Sequence, residues 1–137
     1  DEGFAAVLRD RWEEAAPGLI VAGVDDLTAR QQFGERDGHM KNALADAPAG
    51  AIVLLSHSSW ESESAARAGV GLMLSGHTHA GQIVPFHLAV NKVFEYTSGL
   101  YRDGDTHLYV NEGTGTWGPT LRLGTRSEIT LFELEPG

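Results

Sequence analysis

Two short apolar runs, Ala51-Ile52-Val53-Leu54-Leu55 and Val70-Gly71-Leu72-Met73-Leu74, constrain the fold of this chain more than any other feature. Each is too short for a stable helix and is apolar at nearly every position, so each reads as a strand buried on both faces. Between them Ser58-Ser59-Trp60-Glu61 has the pattern of a capping box and predicts a short helix ending at Gly69. Strand, helix and strand within this length predict a right-handed parallel crossover. The chain is therefore expected to be α/β.

The flanking segments extend this pattern. Leu19-Ile20-Val21-Ala22-Gly23-Val24 reads as a strand ending in Asp25-Asp26-Leu27-Thr28. Phe4, Val7, Leu8 and Trp12 fall at helical spacing, yet Ala16-Pro17-Gly18 makes a turn. A hairpin of residues 6–14 with 19–24 competes with an N-terminal helix. Residues 28–38 read as an irregular stretch, and His39 to Ala47 as a modest helix stopped by Pro48 and Gly50. Val93 to Tyr101 and Thr106 to Asn111 flank Asp103-Gly104 as a hairpin. A glycine-rich loop covers Gly113 to Pro119, and Glu128 to Leu134 reads as a closing strand. No repeat or linker divides the sequence, so 1–137 is expected to form part of one domain.

Composition narrows the function. Ten basic residues against nineteen acidic ones give a formal charge of −9. No nucleic-acid-binding surface is evident, because such a surface needs a basic stripe to displace counterions. A phosphate-bearing substrate stays open, since bound divalent cations reverse the local field. With no cysteine, thiolate zinc sites and cysteine nucleophiles are excluded. No run reaches the length of a membrane span. The chain opens on Asp1-Glu2-Gly3 without a Met, which is expected of a fragment or a processed form.

Both strand runs end in histidine: Leu55-Ser56-His57, and Leu74-Ser75-Gly76-His77-Thr78-His79-Ala80-Gly81-Gln82. In open α/β sheets ligands collect outside the carboxyl ends of parallel strands. If the backbone is extended there, His77 and His79 project to one side and Thr78 to the other. His57, His77 and His79 are thus candidate metal ligands, whereas His39, His87 and His107 stand alone and read as surface or structural residues. Asp25 and Asp26 could approach the same crevice or simply end their strand. The glycine-rich loop lacks the lysine of a phosphate-binding loop and reads as a structural turn, with Trp117 either over the sheet edge or along a substrate path. A metallo-β-lactamase site would continue His-x-His-x-Asp-His, but Gly81-Gln82 stand at those places. An amidohydrolase site would need later ligands that do not follow in order.

These blocks resemble the last two of the calcineurin-like metallophosphoesterases. Gly23-Val24-Asp25-Asp26, the Gly-Thr-Gly-Thr-Trp-Gly-Pro run at 113–119 and Glu128-Ile129-Thr130-Leu131 are similar to a branch of membrane-associated or exported bacterial phosphodiesterases. The resemblance implies the C-terminal half of a β-sandwich flanked by helices, with residues 6–14 and 19–24 paired. It implies that His57 and His77 bind one divalent ion and His79 a second, the ions being Mn, Fe or Zn. The preceding family blocks (Asp-x-His, Gly-Asp-x-x-Asp and Gly-Asn-His) are not present here as an ordered set. The carboxylates are then expected from an N-terminal half, in cis or in trans, which would also bear any membrane anchor. The implied activity is hydrolysis of a phosphoester; the alternative is an inactive module of the same fold that binds or scaffolds.

Overall fold

The computed structural model describes residues 6–26 and 39–135. Among these, six strands form one mixed sheet. They are β1 (Arg11–Ala16), β2 (Leu19–Gly23), β3 (Ala51–Leu55), β4 (Leu72–Ser75), β5 (Gly99–Asp103) and β6 (Thr106–Val110), in the order β1-β2-β3-β4-β6-β5. The four inner strands run parallel, and β1 and β5 close the edges antiparallel. Three helices accompany them: α1 (His39–Ala43), α2 (Ser62–Arg67) and α3 (His87–Val93). The α/β class read from the sequence holds, and the sheet is consistent with the C-terminal half of a larger fold.

Period-two side-chain alternation divides the sheet into two unlike faces. Ala22, Leu54, Met73, Leu108 and Tyr101 lie in one cross-strand row, and the first four are fully buried or nearly so. Met40 and Ala43 of α1 and Ala65 of α2 join them in the core. Burying side chains such as Leu54 and Met73 stabilises the fold by about 1.5–3 kcal/mol each. The next row, Gly23, Leu55, Leu74, Tyr109 and Leu100, points the other way, and Leu55 and Leu100 are exposed there.

The N-terminal hairpin is present, but it pairs Arg11–Ala16 with Leu19–Gly23 rather than residues 6–14 with 19–24. Trp12 sits opposite Ala22, packs on the core and donates from Nε1 to the Ala45 carbonyl at 2.8 Å, tying β1 to the end of α1. The β3–α2–β4 crossover is present as well.

Five further local expectations need correction. Residues 58–61 form no capping box: α2 starts at Ser62 with Glu61 before it, and no side chain caps it. Ser58 and Ser59 serve the loop instead, the Ser59 hydroxyl donating to the Tyr96 carbonyl at 3.3 Å. The helix begun at His39 ends at Ala43 rather than Ala47. Val93 does not open a strand: it ends α3, and the hairpin strand begins at Gly99. Residues 128–134 form no strand, since no ladder pairs them with another segment among the described residues; Ile129 and Leu131 stand exposed. Finally, the backbone at His77 to His79 is not extended. Residues 28–38 lie outside the described residues.

Candidate metal centre

The carboxyl ends of β2, β3, β4 and β6 share one edge, and that edge carries the histidines. Pairing continues one step past the strands, with the Ser56 N–H donating to the Leu74 carbonyl at 3.1 Å and the Gly76 N–H to the His57 carbonyl at 3.0 Å. The hydroxyls of Ser56 and Ser75, both buried, donate to the Ser58 carbonyl at 2.8 and 3.3 Å. The loop bearing His57 is therefore tied to β4 on both sides.

His57 and His77 come together. His57 Nε2 lies 2.9 Å from His77 Nδ1, with the rings edge to face at 4.8 Å. Two nitrogens at that separation can share one proton or one cation. Two metal–nitrogen bonds of about 2.0–2.1 Å meeting near a right angle span the same distance. Burial, and then repulsion from His57, pushes the His77 imidazolium pKa down, while the charge of Asp26 opposes this. A neutral ring is the form that ligates metal.

His79 reaches the same cleft by a different route. His77, His79 and Ala80 have positive φ, and residues His79–Gly81 make a single 3-10 turn. Thr78 between the histidines is buried and donates its hydroxyl to the Thr97 carbonyl at 2.5 Å. Gly81 is required here: its φ is +79°, and an added Cβ would sit 2.3 Å from the Cα of His87.

Arg122, which the sequence did not mark, touches His79. Its Nη2 lies 2.9 Å from His79 Nδ1 and also faces the carbonyls of Gly115, Glu112 and Gly113 at 2.6, 2.8 and 3.0 Å. Guanidinium is donor-only, so Nδ1 accepts, and in the neutral ring the proton rests on Nε2. Nη2 has two hydrogens for four acceptors, so it can release His79 and stay bonded. Burial, then the Arg122 charge, then His77 and His57, hold the His79 pKa down.

The glycine-rich loop is a structural turn that also lines the cleft. Buried Gln82 accepts from the Trp117 N–H at 2.8 Å and donates to the carbonyls of Trp117 and Pro119 at 2.9 and 3.1 Å. Trp117 thereby takes its place, beside Phe86, along a cleft of about 580 Å³ that contains all three histidines.

Of the remaining candidates, Asp26 acts on the His77 ring through its charge, and the others lie elsewhere. Asp25 is bonded by Arg9, with Nη2 2.7 Å from its carboxylate, as befits a strand-end acid. His39 is buried 3.4 Å from Asp10. His87 opens α3, with Nδ1 buried and lacking a partner among the described residues. His107 lies on β6 and is exposed. The triplet Asp105-Thr106-His107 reads literally as Asp-x-His, but it sits at the start of β6, the sheet edge opposite the site. Among the described residues no group of three or more His, Asp or Glu side chains is placed to hold one ion. The His57–His77 pair fits a metal as two ligands of an incomplete set.

Known proteins offer the following comparisons. The chain is 40% identical over 124 residues to an uncharacterized metallophosphoesterase of Helicobacter pylori, with 87% of this chain and 33% of that protein aligned. It is 37% identical over 130 residues to a transmembrane protein with metallophosphoesterase domain of Danio rerio, covering 91% of this chain and 30% of that one. A Bos taurus protein of the same description is 38% identical over 124 residues, covering 85% and 28%. The chain thus spans about a third of the length of these curated relatives. No helix among the described residues is long and apolar enough to cross a membrane. No family model matches the sequence, and no solved structure matches it.

Proposed function

Because this chain belongs to the metallophosphoesterase family, we propose that it supplies His57, His77 and His79 to a dinuclear centre that hydrolyses phosphoesters. The family implies divalent metal ions; the reading adds that there are two, of Mn, Fe or Zn, and that the carboxylate ligands come from a segment outside this chain. That segment, in cis or in trans, is the partner the site needs, and any membrane association would reside there.

The observation that carries the reading is the 2.9 Å approach of His57 Nε2 and His77 Nδ1 at the carboxyl edge of the parallel strands. Divalent ions held there would supply Lewis acidity and a water of lowered pKa. The chain's own residues do the positioning. His57 is fixed by its carbonyl bond to Gly76, and Thr78 pins the turn between the other two histidines. His77 and His79, with lowered pKa values, present neutral rings near neutral pH. Arg122 can yield His79 while keeping its loop carbonyls. In this role the histidines are ligands, not proton shuttles.

In the full-length protein, His79→Ala is expected to abolish hydrolysis of bis-p-nitrophenyl phosphate at saturating Mn²⁺ while leaving the fold intact. Retained turnover would refute the assignment. The second reading is an inactive binding or scaffold module of the same fold. An inactive unsubstituted full-length protein would decide for it.

A further inference from the structure

The cleft has two unlike sides, and we propose that its apolar side seats an aliphatic chain esterified to the phosphoryl group received at the histidines. This assignment rests on the phosphoesterase reading and adds a substrate class to it.

Phe86, Ala89, Val90 and Val93 recur at positions i, i+3, i+4 and i+7, which puts them on one face of α3 and the residue before it. Such a face normally packs into a core. Here it lines the cleft, and Phe86 and Val93 remain 46% and 59% exposed. Phe94 continues the wall onto the site itself, its ring 5.4 Å from that of His77. Trp117 closes the other end, 49% exposed and 5.8 Å from Phe86. Wall and histidines border one space of about 580 Å³, the size of small-molecule sites.

The chemistry of the lining selects the occupant. No lysine, arginine, aspartate or glutamate lines the cleft, and the Thr78 hydroxyl is already given to Thr97. A sugar or nucleobase would therefore lose its water without regaining hydrogen bonds. A flat ring gains from stacking offset or edge to face on an aromatic neighbour, but Phe86 and Trp117 already take each other as that neighbour, and Phe94 takes Trp60 and His77. The segment that brings the carboxylates must leave the histidines open to a substrate, so it does not fill the whole of the space they share with the wall. An aliphatic chain meets none of these obstacles.

The test uses methyl, butyl and hexyl p-nitrophenyl phosphate with the full-length protein at saturating Mn²⁺. In each, water adds to phosphorus, the P–O bond to the aryl oxygen breaks, and p-nitrophenolate leaves with the electron pair; the alkyl phosphate and a proton remain. The leaving group is constant, so only the chain varies. We expect kcat/KM to rise at least about tenfold from methyl to hexyl, since each fully buried methylene contributes about fourfold. The rise should lie in KM, as binding shared by ground and transition states does. Val93→Asn and Phe86→Ser, at exposed positions, should pull the hexyl-to-methyl ratio toward one. In the metal-free protein, tryptophan fluorescence titrations should show hexyl phosphate binding more tightly than methyl phosphate. Equal kcat/KM across the series, or equal binding of the two phosphates, would overturn the aliphatic assignment alone. No turnover of any ester would overturn the phosphoesterase reading, and the substrate assignment with it.

Discussion

Gln82 and Trp117 hold each other through both ends of one amide: the Gln82 Oε1 accepts from the Trp117 N–H at 2.8 Å, and its Nε2 donates to the Trp117 carbonyl at 2.9 Å. A side chain 1% exposed thus takes the place of a backbone ladder between two loops 35 residues apart. Replacing it by an apolar residue of similar size leaves the loop's polar groups without partners. Gln82→Leu is expected to destabilise the protein by about 1–3 kcal/mol. Thermal unfolding should record a loss of several degrees, and Trp117 emission should move to the red as its ring parts from Phe86. An unchanged melting temperature would show that water replaces the amide at no cost.

The His57–His77 pair makes a prediction about metal. Titration calorimetry of the full-length protein with Mn²⁺ or Zn²⁺ should show one site weakened by His57→Ala, by at least the roughly 10–100-fold typical of removing a supporting partner. The 137-residue chain alone should bind at most one ion, and weakly, since imidazoles without carboxylates do not neutralise two divalent charges. Two tight sites in the isolated chain would contradict this.

After burial, Arg122 does most to lower the proton affinity of His79. Its positive charge disfavours the imidazolium, so Arg122→Gln should raise the His79 pKa toward the ordinary histidine range, burial and the neighbouring His77 and His57 still holding it somewhat below. Proton NMR titration of the His79 ring, compared with the same ring in the unsubstituted protein, reads this directly. A downward movement would mean that Arg122 acts mainly by packing.

Glu128 sets an acid limit on stability. The Glu112 N–H at 3.0 Å and the Tyr109 hydroxyl both bond its carboxylate and hold its pKa below the usual carboxylate range. A group whose folded pKa is lowered contributes stability above its unfolded pKa, near 4.3 for glutamate, and that contribution is lost as pH falls through the folded value. Glu128→Gln should therefore lower the melting temperature at neutral pH, and the gap from the unsubstituted protein should narrow below about pH 4. A gap that widens on acidification would reverse the sign.

What could be read beforehand follows from range. Strands β3 and β4 announce themselves because five consecutive positions settle their character, and the histidines at their ends inherit that placement. The α3 helix did not, because Val90 and Val93 are β-branched and seven residues give barely two turns of pattern. It exists because the His79–Gly81 turn packs against it, with Gly81 pressed to His87. The Arg122–His79 contact joins residues 43 apart in sequence and has no local signature at all. Residues 128–134 show the opposite failure. Their alternation is that of a strand, but alternation supplies only a face, and no strand among the described residues pairs with them.

The Gln82 amide also fixes what can be exchanged. The strands keep register through their own backbones, yet the segments beyond their carboxyl ends could not all be replaced piecemeal in a redesign. The turn after β4 and the loop at 117–119 are written into each other's geometry, and a graft that carries one without the other would bring a loop with no anchor. The unit of inheritance at this edge is a pair of distant segments, to be moved together.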